Sequence, residues 1–206
     1  MAIIINHPLI EHKMTLLRDK KTGTKEFREM VSEVSAYLTF EALKDAKLKK
    51  VNIETPMTKS EGKIVNEDDY AFVPILRAGT GMLEGVLRVI PGAKIGHIGL
   101  YRDKELLEPI EYYFKVPKEL DKREVIILEP ILATGGSMLA AVQMLKEAGA
   151  KKLKVLCLVA SPEGIEKVEK EHPDVEIYTT FLGGVNDIGY ITTGVGDAGD
   201  RIFGTK

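Results

Sequence analysis

The sequence predicts an α/β fold: a mainly parallel sheet flanked by helices, with a hairpin excursion and a glycine-rich C-terminal loop segment. Three observations carry this. Apolar runs of strand length recur between residues 71 and 180, helical stretches marked by glycine or proline lie between several of them, and the composition is that of an ordinary globular chain, 44% hydrophobic and 29% charged. With 206 residues the chain is read as one domain. Its parts are an N-terminal arm and helix (1–50), a core (51–181) that holds the excursion (102–120), and a tail (182–206).

The opening MAIIINHPLI is apolar, but no basic region precedes the run and no small-residue cleavage site follows it. A signal peptide is therefore not expected, no run has the length of a bilayer span, and the expected location is the cytoplasm. From Thr24 to Lys47 the residues Phe27, Met30, Val31, Val34, Leu38 and Leu43 recur at three- and four-residue steps, which predicts an amphipathic helix capped by Thr24. Val51, Ile53 and Thr55 alternate as an edge strand does, and a polar connection follows.

Five core strands are predicted: Ala71 to Leu76, Lys94 to Tyr101, Glu124 to Leu128, Leu153 to Ser161 and Val175 to Thr180. Helices fit at Gly81 to Ile90, at Gly136 to Ala148 with Gly149 as its stop, and at Pro162 to Glu171 with proline in the first turn. Such alternation favours parallel strands covered on both faces. Arg102 to Leu120 breaks the rhythm with charges, prolines and the run Glu111-Tyr112-Tyr113-Phe114 and is read as an excursion with a short hairpin, of which Arg102 to Pro117 is expected to be mobile without ligand and to close over the site. The tail mixes glycines with Ile188, Tyr190, Ile191, Ile202 and Phe203, the composition of an ordered loop.

The balance of 29 basic and 31 acidic residues gives a net charge of −2 and no general attraction to a polyanion, so nucleic acid is not an expected partner. His7, His12, His97 and His172 have no metal-ligand spacing. Cys157, the only cysteine, lies in the apolar run Leu153 to Ala160 and is read as a buried structural thiol.

The segment VIILEPILATGGS, Val125 to Ser137, carries the most chemistry. An apolar strand runs into Glu129 and then into Thr134-Gly135-Gly136-Ser137 at the strand's carboxyl end, where open α/β sheets bind ligands. The glycines let backbone N–H groups approach an anion, the hydroxyls add donors, and the next helix points its positive end at the same place. A ribose 5′-phosphate fits such a cup, with the Glu129 carboxylate accepting hydrogen bonds from the ribose hydroxyls. A bare T-G-G-S also serves as a plain turn and helix cap; the acid on the apolar strand favours the phosphate. The G-x-x-x-x-G-K-[ST] loop is absent, and Gly79-Thr80-Gly81-Met82-Leu83-Glu84 has glutamate where a dinucleotide fingerprint needs its third glycine.

VIILEPILATGGS resembles the phosphoribosyl-diphosphate motif of type I phosphoribosyltransferases, in the variant of the uracil phosphoribosyltransferases. The resemblance extends through HPLIEHKMTLLRDKKTGTKEFR (His7 to Arg28), FVPILRAGTGM (Phe72 to Met82), LYRDKELLEPIEYYFKVP (Leu100 to Pro117) and GDAGDRIFGTK (Gly196 to Lys206), in the family's order. It implies transfer of a phosphoribosyl group from 5-phosphoribosyl 1-diphosphate (PRPP) to uracil, giving UMP and pyrophosphate in pyrimidine salvage. It implies Mg2+ bound mainly through the substrate diphosphate and water, with no protein metal ligand, a homo-oligomer (dimer or tetramer) and a nucleotide effector such as GTP.

Residue by residue, the resemblance implies PRPP binding by Arg77, Ala78, Gly79 and Arg102, by Glu129, Pro130, Ile131, Leu132, Ala133, Thr134, Gly135, Gly136 and Ser137, and by Asp197. Arg77, Arg102 and Asp197 are the implied catalytic residues, the arginines gripping pyrophosphate through fixed guanidinium donors. As plain surface ion pairs they would each contribute at most about 1 kcal/mol. Uracil is implied to sit against Ile191, Gly196, Asp197 and Ala198, read chiefly by backbone groups that match its two carbonyls and two N–H groups. The chain departs from the family in having Glu129 where aspartate is usual, and Ile191-Thr192-Thr193-Gly194 where isoleucine, valine, proline, glycine is usual. Two other functions compete with this one. An RNA-binding regulator of pyrimidine genes on this fold would use the basic run Lys13, Arg18, Lys20, Lys21 and Lys25, but the balanced charge argues against it. A phosphoribosyltransferase for hypoxanthine or orotate is disfavoured by the tail GDAGDRIFGTK.

Overall fold

All five predicted core runs pair in parallel in the computed structural model, which describes residues 1–102 and 109–205. Residues 103–108, Lys206 and the Arg102 side chain lie outside the described part, and with them the tip of the excursion and its expected closing motion. In chain order the first elements are β1 (Ala2–Ile4), α1 (Pro8–Arg18), α2 (Thr24–Ala42), β2 (Leu48–Glu54), β3 (Lys59–Val65), β4 (Tyr70–Leu76), α3 (Leu83–Val89), β5 (Lys94–Ile95), β6 (His97–Arg102) and β7 (Pro109–Lys115). There follow β8 (Glu124–Leu128), β9 (Ile131–Leu132), α4 (Gly136–Glu147), β10 (Lys152–Leu156), β11 (Val159–Ala160), α5 (Pro162–Glu171), β12 (Glu176–Thr179), β13 (Phe181–Leu182) and α6 (Ala198–Phe203).

The main sheet runs β1-β12-β10-β8-β4-β6-β7, with β5 also on β4. Every pairing in it is parallel except β6 with β7. Successive side chains of β8 divide between the two faces as strand pleating requires. Ile126 and Leu128 join the core under α1, α2 and α3; Val125 and Ile127 join the core under α4 and α5.

Several predicted boundaries move. The long helix stops at Ala42, not Lys47, and Lys154 Nζ donates to the Ala42 carbonyl at that end at 2.7 Å. Its N-cap is Gly23, whose carbonyl accepts from Phe27 N–H, so Thr24 is the first helical residue and not the cap. The expected polar connection contains a full strand: β3 pairs antiparallel with β2 from Leu48↔Val65 to Glu54↔Lys59 in a ribbon separate from the main sheet. The excursion is a hairpin, but its pairing already begins at His97↔Lys115. The run 153–161 divides into β10 and β11, which belong to different sheets. α4 and α5 form as expected, α5 opened by Pro162 and capped by Ser161 Oγ, which accepts from Gly164 N–H. Cys157 is fully buried, and burial pushes its thiol up to about 12. No helix among the described residues is long and apolar enough to cross a membrane.

Candidate active site

A break shared by three neighbouring strands makes the site. After Leu128 the chain leaves the main ladder: Glu129 N–H still donates to Leu156 O at 3.1 Å, while Pro130 O accepts from both Leu158 and Val159 N–H at 3.0 Å. Beyond the break β9, β11 and β13 pair again as a small parallel sheet. The interruption opens a cavity at the carboxyl ends of the strands, with a volume of about 190 Å³. Glu129, Ile131 and Ala133 line it; the alternate positions face away. Pro130 is buried, and Leu132 packs into the core beneath α4 and α5.

The same segment continues into the turn expected to form the anion cup. Gly135 takes a φ of +78° at the N-cap of α4, a left-handed geometry that glycine adopts without steric cost. Among the described residues no side chain caps this helix. The N–H groups of its first turn, from Gly136 and Ser137 onward, therefore remain available to an anion, with Thr134 and Ser137 exposed beside them.

A second wall comes from the turn after β4. Gly79 lies so close to β8 that a Cβ there would fall 2.3 Å from Leu128 O, so this position requires glycine. The turn brings Ala78 to the cavity and leaves the Arg77 side chain exposed, its Nη2 3.2 Å from Asp200 Oδ1 and its guanidinium 5.7 Å from the centre of the Phe203 ring. The Leu76–Arg77 peptide is cis.

The third wall is the tail. A Val185↔Ile191 bridge closes a turn in which Asn186 Oδ1 accepts from Ile188 and Tyr190 N–H. Gly194 N–H donates to Ile191 O at 3.1 Å, and Thr193 O accepts from Arg18 Nε at 2.6 Å, so the Thr192-Thr193 departure sits in an anchored loop. Asp197 caps α6 through a 2.9 Å bond from Asp200 N–H. Ile191, Gly196, Asp197 and Ala198 all line the cavity.

Burial pushes the Glu129 carboxyl up to about 8; Ile131 N–H opposes the shift and the Asp197 charge adds to it. Burial thus favours the protonated form of the group read from sequence as a carboxylate. Of the residues expected in the site, Ala78, Glu129, Ile131, Ala133, Ile191, Gly196, Asp197 and Ala198 meet at one cavity. Arg77 and the segment Thr134 to Ser137 stand outside its lining, and the Arg102 backbone pairs with Pro109 in the hairpin. Val159, Gly189, Tyr190, Val195 and Gly199 also line the cavity and escaped the sequence reading. Their flanking glycines and Ile191 were a signal for the tail residues; none existed for Val159, whose position follows from the re-pairing beyond the break. Among the described residues no three His, Cys, Asp or Glu side chains gather as a metal site. The two carboxyl groups on the cavity suit a hard cation that brings most of its oxygens with it.

The profile of the uracil phosphoribosyltransferase family matches residues 4–205. A uracil phosphoribosyltransferase of Dictyoglomus turgidum is 53% identical over the whole of both chains. Among solved structures, the AQ2163 protein from Aquifex aeolicus superposes with a TM-score of 0.94 at 39% identity, over 98% of each chain. A purine phosphoribosyltransferase from Pyrococcus horikoshii shares the fold, with a TM-score of 0.50 at 16% identity over 74% of this chain and 85% of its own.

Proposed function

The chain belongs to the uracil phosphoribosyltransferase family, and on that premise we propose that it transfers the phosphoribosyl group of PRPP to uracil, releasing UMP and pyrophosphate. The observation that carries this is a single cavity walled on one side by the strand-end acid that leads into an uncapped helix N-terminus, and on the other by the glycine-rich tail. A ribose phosphate and a base bound to these two walls would meet in the cavity.

In the reaction N1 of uracil forms a bond to C1 of the ribose as the bond from C1 to the pyrophosphate oxygen breaks. As that bond forms N1 gives up its proton to water or to the departing pyrophosphate, which keeps the electron pair of the broken C1–O bond, and no covalent nucleophile is required. The first turn of α4 and the Thr134 and Ser137 hydroxyls would hold the 5′-phosphate. Glu129 would accept hydrogen bonds from the ribose hydroxyls, which favour its charged form and draw the carboxyl down from about 8. Arg77, turning from Asp200, and Arg102 would take the diphosphate, whose growing negative charge strengthens both contacts as the bond breaks. Asp197 would border both substrates. Much of the rate would come from holding C1 and N1 in line. Mg2+ would enter on the diphosphate oxygens and water, with Glu129 and Asp197 the nearest acids of the cavity, and would supply neutralising charge there.

A homo-oligomer, a GTP-like effector and a cytoplasmic location belong to the same proposal. Support for the oligomer comes from the β2–β3 ribbon, which exposes Leu48, Ile53 and Ile64, with Met57 at its tip 92% exposed; a lone two-stranded ribbon is marginal in water. Initial rates with PRPP and a panel of uracil, cytosine, hypoxanthine and orotate test the function. UMP formation from uracil alone is expected, and faster turnover of another base would overturn the assignment.

A further inference from the structure

Three arginines join the N-terminal segment to the tail, and each does so through backbone carbonyls. Arg18 Nε donates to Thr193 O at 2.6 Å, with its guanidinium 4.0 Å from the centre of the Phe181 ring. Arg28 donates twice to Ile202 O, at 3.1 and 2.9 Å. Arg201 makes the densest set. Its Nη1 donates to Leu17 O at 2.6 Å and Val195 O at 2.9 Å, its Nη2 to Asp19 O at 2.8 Å and Thr22 O at 3.5 Å, and its Cζ lies 4.1 Å from the centre of the Phe27 ring. Four carbonyls from two separate stretches thus converge on one planar fork, a geometry that a lysine ammonium cannot reproduce.

The bond to Val195 O has a consequence inside the cavity. The Val195–Gly196 peptide is trans and planar, so its N–H points opposite to its carbonyl. Arg201 does not line the cavity, whereas Val195, Gly196 and Asp197 do. Drawing Val195 O out toward Arg201 therefore turns Gly196 N–H the other way, and that N–H has no acceptor among the described residues. Gly196 itself has a φ of +72°, a left-handed geometry that glycine adopts freely, and no atom lies within 4 Å of where a Cβ would stand. Without the guanidinium, the peptide on either side of a glycine is free to rotate.

We infer that Arg201 is a positioning residue for base recognition: it sets the Val195–Gly196 peptide so that Gly196 N–H is presented to a carbonyl oxygen of the base, and it ties that orientation to the α1–α2 connection. The inference rests on the proposed function. It assigns a task to the N-terminal segment, whose Leu17, Asp19 and Thr22 carbonyls hold the other side of the fork and which contributes no residue to the cavity.

The test compares Arg201→Ala and Arg201→Lys with the parent in initial rates against uracil, 2-thiouracil, 4-thiouracil and PRPP, alongside thermal unfolding. Loss of one oriented hydrogen bond predicts a KM for uracil raised about tenfold, with the KM for PRPP changed less than about twofold. The parent should discriminate against the thio analogue whose sulfur replaces the oxygen facing Gly196, and both variants should lose that discrimination, since sulfur is the weaker acceptor. Arg201→Lys keeps the charge and most of the packing, so it reports on the fork even where Arg201→Ala does not fold. Variants that are less heat-stable but keep the parent's KM for uracil and its preference between the analogues would overturn the inference. A parent protein inactive with uracil would instead overturn the function, and this inference with it.

Discussion

Replacing Glu129 by glutamine separates what this residue costs the fold from what it gives the reaction. The carboxyl has a pKa of about 8 in the folded protein against 4.5 for the free side chain, so between those values the native state keeps a proton that the unfolded chain releases. Stability contributed by the buried neutral acid is therefore fully present below pH 4.5, falls as pH rises toward 8, and levels off above. Glutamine imitates the neutral acid at every pH. At 1.36 kcal/mol per unit, Glu129→Gln should be more stable than the parent by about 1 kcal/mol at pH 5, about 3 kcal/mol at pH 7 and close to about 5 kcal/mol at pH 9. Urea unfolding followed by far-UV circular dichroism at the three pH values reads the gap. Activity should move the other way, because transition-state binding loses about 1–3 kcal/mol with the charge that accepts from the ribose hydroxyls. Glu129→Asp should lie near the parent in turnover, and uracil selectivity should not change in either variant. A stability gap that stays constant with pH would refute the raised pKa; unchanged turnover and substrate affinity in Glu129→Gln would show that other residues hold the ribose.

Arg102→Ala should fold as the parent does yet lose about 1.5–3 kcal/mol of transition-state binding, read as kcat/KM for PRPP, since a charge-assisted bond to the leaving diphosphate would be gone; unchanged turnover would remove Arg102 from the mechanism. Gly79→Ala forces a Cβ toward Leu128 O and should destabilise the protein by about 1–3 kcal/mol, with a raised KM for PRPP; a variant with the parent's melting temperature would refute the tight approach of turn to strand. Lys154 is buried among Glu124, Asp45, Glu176 and the Ala42 carbonyl. Lys154→Ala should therefore cost about 3–5 kcal/mol by leaving the Glu124 carboxylate unpaired, with both KM values unchanged in the protein that remains folded. A loss near zero in urea unfolding would mean that water already screens the cluster.

The parts legible in the sequence are those whose signal is local. The run Val125 to Leu128 into Glu129 and the two glycines specifies strand, acid, turn and helix from adjacent residues, because apolar strand length, left-handed glycine and an uncapped helix start are each written within a few positions. The same holds for Pro162 and Ser161 at the head of α5, and for the glycine-rich tail beside Ile191 and Asp197. Where the structure adds to the reading, the cause is distant in sequence. Ala2–Ile4 becomes a strand because β12 offers an open edge, a pairing that three residues cannot announce. β2 is marked by Val51 and Ile53, but β3 is exposed along most of its length and carries no alternation of apolar residues. The burial of Lys154 follows only from the three carboxylates of Asp45, Glu124 and Glu176, which reach it from distant parts of the chain. The cavity exists because β8, β10 and β12 break together and re-pair, which places Val159 in its wall and removes Leu132 from it. The sequence alone named the expected acid and anion cup, and its family resemblance the expected base loop; the tertiary structure decided their spacing, electrostatic surroundings and backbone orientation, because burial, the Asp197 charge near Glu129 and the Arg201 fork on Val195 arise only once distant segments meet.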